Sequence, residues 1–489
     1  MTYSQEIKYS ATLSLKWSTL GGLLYRIGPP VTFLILARLL SPQSFGVLST
    51  AMVFISFAQM FWEAGLGKAL IQTEIAPEEA ANVVFWINIC LGFIIYGLFL
   101  IAGPFAAEFF KSSECGQVIT VLGLQVPILA LTSVQQNLFM RDLDFRVIFW
   151  ARFFSSIAPA VIAIPMALLG LGVWSLVAGT LTGSSLYMLF LWIKSPWRPS
   201  WKFETKIAKR LIGFGIWVMA ESFGAWLIIW GDSILLGRYL GMEDLGIYRV
   251  AWTVSFVVFG LLVTPIVQVA YPAFSRMQED RGSLLDAFTK STRLIACISI
   301  PTGMGLLLTG PELSNLAFGH KWAGLGFAIG IIGLLNGISS PLQINREVYN
   351  AIGRPDLNTK VLLSCLLVFI PTYLITAPYG LYVFLYSRLA LSLLAIPIHL
   401  FTCSRVLGLS FFYWFRWTWN AIIASLTMGI IVTTTRCFLS LWITPLADSI
   451  LLAFLFTVGL ASYALIMTLL DKSLVLQMLR LSKRAIAGC

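Results

Sequence analysis

The chain has 489 residues, 58% of them hydrophobic and only 11% charged, with a net charge of +11. A soluble domain carries about 25% charged residues, so this composition excludes an ordinary soluble enzyme. The charge lies between long apolar runs rather than in one basic patch, which argues against nucleic acid as the partner.

A run of about 20 apolar residues crosses a bilayer as a helix, and no open sheet or lipid-facing loop satisfies its backbone there. In chain order the apolar runs predict spans over 13–37, 46–62, 81–102, 117–139, 148–170, 172–194, 211–236, 245–268, 292–310, 323–345, 359–377, 380–402, 414–436 and 445–470. The expectation is an all-α polytopic membrane protein of about 14 transmembrane helices.

With the N-terminus in the cytoplasm, and residues at span ends given to the nearer side, the cytoplasmic segments take 24 Lys and Arg. The opposite side takes six, and Arg26, Arg152 and Arg388 lie within spans, which accounts for all 33. That bias fits the positive-inside rule. It places both termini in the cytoplasm. Lys194, Arg198, Lys202, Lys206, Lys209 and Arg210 form the largest cluster and read as a topological anchor.

Other function classes are missing their residues. The seven cysteines show neither metal spacing nor a disulfide framework, and the two histidines, His320 and His399, cannot supply a His-rich metal site. No G-x-x-x-x-G-K-[ST] occurs, so the chain carries no Walker-type ATP site. The loops are short, which leaves no room for a soluble catalytic domain. The first span is too long for a cleaved signal peptide.

The chain repeats at an offset of 200. Leu36-Ala-Arg38-Leu-Leu40, Phe45-Gly46-Val47 and Ala51 match Leu236-Gly-Arg238-Tyr-Leu240, Leu245-Gly246-Ile247 and Ala251, and Trp17 matches Trp217. Six spans separate the copies, so both halves share one orientation. Parallel halves of this kind build transporters. The expected organisation is an N-terminal six-helix lobe, 1–194, a basic linker, 195–210, and a second six-helix lobe, 211–402. Two additional helices, 403–470, and a basic tail, 471–489, follow. The tail reads either as an amphipathic helix on the cytoplasmic leaflet or as disordered chain.

Ionisable groups inside a membrane are costly and mark function or a structural pair. Arg26 precedes Pro29-Pro30, which break a helix. A broken helix beside a charge suits a transport cavity, while pairing to a carboxylate is the structural alternative. Glu221 and Asp232, eleven residues apart on one helical face, are candidates for proton or Na⁺ coupling or for a charge pair. Arg388 shares a face with Ser392 and His399. Asn336, Ser340, Gln343 and Glu347 form one polar stripe, and Gln125, Thr132 and Gln136 another. Such stripes either glue helices together or line a shared cavity. Arg152 reads as snorkelling to the cytoplasmic edge. Arg groups suit phosphate, and amide, hydroxyl and aromatic groups suit sugars, so an anionic, sugar-bearing substrate fits without being singled out.

Several ordered motifs carry a family resemblance. They are Leu36-Ala-Arg38 with Phe45-Gly46, Glu63-Ala-Gly65-Leu-Gly-Lys-Ala-Leu-Ile71-Gln, Phe85-Trp86-Ile-Asn88, and Gln135-Gln136 leading to Arg141-Asp-Leu-Asp-Phe145. Gly172-Val-Trp174-Ser-Leu-Val-Ala-Gly179, Gly231-Asp232 with Leu236-Gly-Arg238, and Tyr271-Pro272-Ala-Phe274-Ser-Arg276-Met-Gln278-Glu-Asp280 follow. Phe318-Gly319-His-Lys321-Trp322 and Gly353-Arg354-Pro355-Asp356-Leu357 complete the series. In order and spacing the chain resembles the Wzx-type polysaccharide and O-antigen flippases of the multidrug/oligosaccharidyl-lipid/polysaccharide (MOP) exporter superfamily, closest to the colanic-acid exporter group.

That resemblance implies two six-helix lobes in a V-shaped arrangement plus two C-terminal helices. It implies alternating-access flipping of an undecaprenyl-pyrophosphate-linked oligosaccharide across the bacterial inner membrane for exopolysaccharide or lipopolysaccharide export, without enzymatic activity. It places Arg26 in a cationic cavity and Asp232 at a recurrent acidic position; Arg388 and Arg346 are carried over by position in the bundle. Gln136, Asn336 and Gln343 complete the expected cavity set. No cofactor is expected beyond a coupling H⁺ or Na⁺, and a polysaccharide polymerase and chain-length machinery are the expected protein partners. The rivals are a cation-coupled drug exporter of the same superfamily and an integral-membrane polysaccharide polymerase.

Overall fold

The computed structural model describes residues 28–61, 77–201, 203–442 and 448–472. Arg26 and the Glu63–Gln72 motif lie outside the described residues, as does the tail beyond Lys472. The described elements are all helical. α1 is Gly28–Leu39. α2 is Pro42–Phe61, α3 Pro77–Phe109, α4 Ser113–Leu122, α5 Gln125–Arg141, α6 Phe145–Leu168, α7 Val173–Lys194 and α8 Thr205–Tyr239. α9 is Met242–Leu262, α10 Thr264–Arg276, α11 Arg281–Phe318, α12 Leu325–Ser339, α13 Gln343–Ala351, α14 Asp356–Thr376, α15 Leu381–Leu407, α16 Tyr413–Trp442 and α17 Asp448–Leu470.

Among the described residues, twelve helical stretches are long and apolar enough to cross a membrane. They coincide with twelve of the fourteen expected spans. The expected span 211–236 falls within α8, and only the end of the first, as α1, is described. Two spans are interrupted. Gly123 and Leu124 divide 117–139 into α4 and α5, and a 3₁₀ turn at Ser340–Leu342 divides 323–345 into α12 and α13. Pro341, which has no N–H to give the ladder, explains the second break.

Local signals set the helix ends. Ser112 caps α4 by accepting the Cys115 N–H, and Asp280 caps α11 by accepting the N–H groups of Gly282 and Ser283. The tight turn from α6 to α7 uses Gly170 and Gly172 at φ +79° and +55°, where a side chain would be strained.

The chain forms two compact units that divide at Arg249/Val250, so the first two turns of α9 belong to the first unit. Two apolar clusters mark the first unit. One joins Val83, Val84 and Phe85 to Val134 and Ala208; the other joins Phe139 and Ile148 to Leu191. The second unit is organised on α11. Gly303 and Gly310 on α11 interlock with Gly326, Gly330, Gly333 and Gly337 on α12, leaving no room for a Cβ at these positions, and Ser299 Oγ donates to the Gly337 carbonyl at 2.8 Å. Small residues let membrane helices approach this closely, where packing rather than hydrophobic transfer drives association. α16 and α17 pack on α11 through Ala296, Cys297 and Ile300 against Ala421, Ala424 and Met467. Tyr463 OH donates to the Cys297 carbonyl at 2.8 Å.

Candidate functional site

The clearest buried charge in the first unit is Asp232, only 2% exposed near the end of α8. Its carboxylate accepts a hydrogen bond from Tyr248 OH at 2.5 Å and another from Ser233 Oγ at 3.0 Å. Arg249 lies within electrostatic reach of it, and the Arg249 guanidinium sits 4.1 Å above the Trp230 ring. An ionised carboxylate in a low-dielectric site is tolerated when hydrogen bonds and a cation compensate its lost hydration. The arrangement ties the first two turns of α9 to the end of α8 across the turn at Gly241. Tyr248, Arg249 and Trp230 are partners that sequence reasoning missed. Tyr248 and Arg249 lie on α9, across a turn from Asp232, and Trp230 precedes Asp232 on α8, so no single-helix spacing links the set. The one available signal was a tyrosine and an arginine side by side inside an apolar run.

The motif residue Arg238 serves an adjacent joint. Its Nη1 donates to the Phe109 carbonyl at 2.8 Å, and its guanidinium lies 5.1 Å over the Phe109 ring. A cation at the carbonyl end of α3 also complements that helix's dipole.

The first unit holds an apolar recess of about 470 Å³ between α2, α3 and α8. Phe54, Phe57, Phe105, Phe110, Phe223 and Trp226 supply its aromatic walls. Trp226 Nε1 donates to Ser56 Oγ at 3.0 Å, which fixes the indole there.

The expected cavity residues sit as follows. Gln136, half-buried on α5, accepts from Tyr187 OH at 3.3 Å. Its stripe partners Gln125 and Thr132 bond Ser184 Oγ at 2.9 Å and the Ile128 carbonyl at 2.6 Å. Asn336, half-buried on α12, donates to Ser255 Oγ at 2.9 Å. Gln343 and Arg346 are exposed on α13, and Arg388 is half-buried on α15 beside the face that carries His399. Arg152 is exposed on α6. Glu221 lies on α8 at a position whose side chain is outside the described residues. Gln136, Asn336 and Asp232 therefore spend polar atoms on helix-to-helix bonds, while Gln343 and Arg346 present theirs at an exposed surface.

The second unit carries two ion pairs that sequence reasoning also missed. Arg293 on α11 pairs with Asp471 after α17, and Glu312 on α11 pairs with Arg436 on α16. Nineteen residues of helix, about 28 Å at 1.5 Å each, separate Arg293 from Glu312. That is close to one hydrocarbon thickness, so the pairs fasten α16 and α17 to α11 near its two membrane boundaries.

Comparison with known proteins fits this architecture. A family profile described as "Polysaccharide biosynthesis protein" matches residues 35–325. The succinoglycan biosynthesis transport protein ExoT of Rhizobium meliloti (strain 1021) is 28% identical over 326 residues, which is 66% of this chain and 66% of that protein. Among solved structures, the lipid II flippase MurJ in an inward closed conformation superposes with a TM-score of 0.76 at 14% identity, covering 94% of this chain and all of that one. A multidrug resistance MATE family transporter of the MOP superfamily, inward-facing, superposes at 0.63 with 14% identity over 79% of this chain and 96% of that one. The chain thus has the helical fold shared by MurJ and MATE transporters, and it belongs to the polysaccharide biosynthesis protein family.

Proposed function

We propose that this protein is a flippase that moves undecaprenyl-pyrophosphate-linked oligosaccharide repeat units across the bacterial inner membrane by alternating access. The observation that carries the reading is the conjunction of a polysaccharide biosynthesis family match with near-complete superposition on a lipid II flippase. Arg26, Arg346 and Arg388 are the proposed diphosphate contacts. Guanidinium groups offer paired donors that match phosphate oxygens, and such bonds strengthen away from bulk water. Gln343 and the other amide groups would meet sugar hydroxyls, while the polyprenyl chain stays in the apolar phase. A cytoplasmic polysaccharide donor pathway would supply the substrate, and a polymerase would take it up on the far side.

Coupling to H⁺ or Na⁺ through Glu221 or Asp232 is part of the proposal. Flipping in proteoliposomes that is indifferent to an imposed gradient would remove it. The MATE likeness keeps a drug-exporter reading in view. Cells lacking the protein should accumulate lipid-linked repeat units facing the cytoplasm, with unchanged sensitivity to cationic dyes. Normal surface glycan together with dye hypersensitivity would favour the exporter.

A further inference from the structure

We propose that the segment 194–201, where the chain leaves α7, is a docking surface for anionic phospholipid headgroups of the cytoplasmic leaflet, and that lipid seated there holds the segment against α3. The inference takes its sidedness from the cytoplasmic N-terminus and does not depend on what the protein transports.

A charge that only sets topology needs no defined shape. This segment has one. The chain leaves α7 extended at Ser195 and is strapped to the first third of α3 by two hydrogen bonds. Trp86 Nε1 donates to the Ser200 carbonyl, and the Ser200 N–H donates to Asn82 Oδ1, both at 2.8 Å. Aromatic rings back the strap. Trp192 and Trp197 meet Phe85 edge-on, with centroids 5.9 and 5.5 Å away. Trp201 stacks on Trp86 with 4.5 Å between centroids. All of these residues belong to the first compact unit.

The strap presents apolar surface and positive charge side by side. Trp201 is 88% exposed, more than any other large apolar side chain among the described residues, even though one face rests on Trp86. Lys194 and Arg198 are exposed beside it in sequence. The Arg198 guanidinium lies 5.8 Å over the Trp192 ring, and its Nη1 donates to the Ser195 and Trp197 carbonyls at 2.5 and 2.8 Å. Its position is therefore fixed without a carboxylate. Among the described residues neither cation forms an ion pair, and no Asp or Glu occurs from 145 to 203.

The occupant must accept an indole face and two cations together. The headgroup layer of an anionic leaflet does both: indoles settle at that level, and basic side chains are drawn to its negative surface. A soluble anion offers no apolar phase, and a zwitterionic lipid offers no net charge. An acidic protein partner could meet the cations, but the strap begins where α7 leaves the bilayer, so lipid already surrounds it.

The test titrates the delipidated full-length protein with phosphatidylglycerol or phosphatidylcholine and reads bound lipid by native mass spectrometry. Phosphatidylglycerol should bind more tightly. The Lys194→Gln/Arg198→Gln double variant should weaken that binding by about tenfold, the scale of two partly screened interfacial cations. Lys290→Gln, which removes an exposed cation paired with Asp286 on α11, should not. Equal binding by the wild type and the double variant, or the same loss in Lys290→Gln, would overturn the docking surface. Glycerol phosphate, the headgroup chemistry without chains, should not compete; competition would show a free-anion site and overturn it as well. In nanodiscs of the wild-type protein, amide hydrogen exchange over 195–201 should be slower with phosphatidylglycerol than with phosphatidylcholine. Equal exchange would overturn the holding role. Neither readout involves flipping, so a protein that moves no lipid-linked oligosaccharide could pass both, and the two readings fail separately.

Discussion

Two glycine-mediated contacts in this protein look alike locally and differ in almost everything else. The α11–α12 seam joins sequence neighbours, runs along α12 against residues 299–311 of α11 and repeats through six glycines. The α2–α9 crossing joins segments related by the 200-residue repeat: Gly46 meets the Met242 carbonyl, Gly246 meets the Pro42 carbonyl, and the Met242 Sδ lies against Thr50 and Cys115. A long seam cannot part without losing many contacts at once, because densely packed groups forfeit their dispersion energy together. A point crossing rests on fewer backbone approaches, and its strength comes from the buried side chains around it, among them Val47, Thr50, Met242 and Leu245. The same residue type thus builds a long seam in one place and a point crossing in the other.

The largest expected effect comes from breaking the seam. Gly326→Leu drives a side chain into the Pro311 backbone, whose Cα lies 2.6 Å from where a Cβ would sit. Overpacking of this kind against backbone should cost ~3 kcal/mol, the upper end of the usual range. The result should be loss of the folded protein in detergent by size-exclusion and thermal-shift measurement, not a selective loss of transport. A folded, stable Gly326→Leu protein would mean that the seam is not the rigid element supposed here.

Next comes Tyr248→Phe, which removes the hydroxyl that serves Asp232 on the turns of α9 beside the crossing. A hydrogen bond to a buried charged group contributes ~2 kcal/mol. The variant should fold and melt lower in a thermal-shift measurement, because α9 is then less firmly held to α8. An unchanged melting temperature would mean that this bond does not hold α9 in place.

Glu312→Gln tests the far end of the second unit. Arg436 is a third exposed, so solvent screens the pair, and ~1 kcal/mol of destabilisation is expected. Transport should persist, since the pair fastens α16 to α11 and contacts no proposed substrate group. Loss of transport with normal stability would move Glu312 and Arg436 into the candidate site.

The smallest effect is a pH dependence at a helix cap. Hydrogen bonds from the Ser283 hydroxyl and backbone and from the Gly282 N–H hold the Asp280 carboxyl below its usual value. A carboxyl depressed in the folded state contributes stability at neutral pH, and that contribution fades as pH falls through its folded value. Asp280→Ala should therefore lower the melting temperature slightly at pH 7 and give a flatter acid limb. An unchanged acid limb would mean the cap does not contribute.

Spans and repeat were legible because they are written in local composition and in spacing. The run at 323–345 is apolar enough to read as a crossing without any partner. Its interruption at Ser340–Leu342 was signalled by Pro341, which only the structure turned into a break. α11 extends well before the expected start at 292 because its first turns are polar and amphipathic, and an apolar-run criterion passes over them. The repeat aligned Gly46 with Gly246 but could not show that they touch, since equivalence under a symmetry does not require lying on its axis. The Asp232–Tyr248 bond and the Arg293–Asp471 and Glu312–Arg436 pairs join different helices at long separation. No periodicity encodes such pairs. Gln125 and Asn336 were read either as helix glue or as cavity lining, and their bonds to Ser184 and Ser255 are of the first kind.

The most direct test of the whole account is leaflet-resolved flipping by the purified protein in proteoliposomes loaded with a fluorescent undecaprenyl-pyrophosphate-linked oligosaccharide. The account predicts that head groups become accessible to an external glycosidase far faster than in protein-free vesicles, and that Arg388→Ala slows this without lowering stability. Head groups that stay on their original side at the protein-free rate, with a folded protein in the membrane, would contradict it.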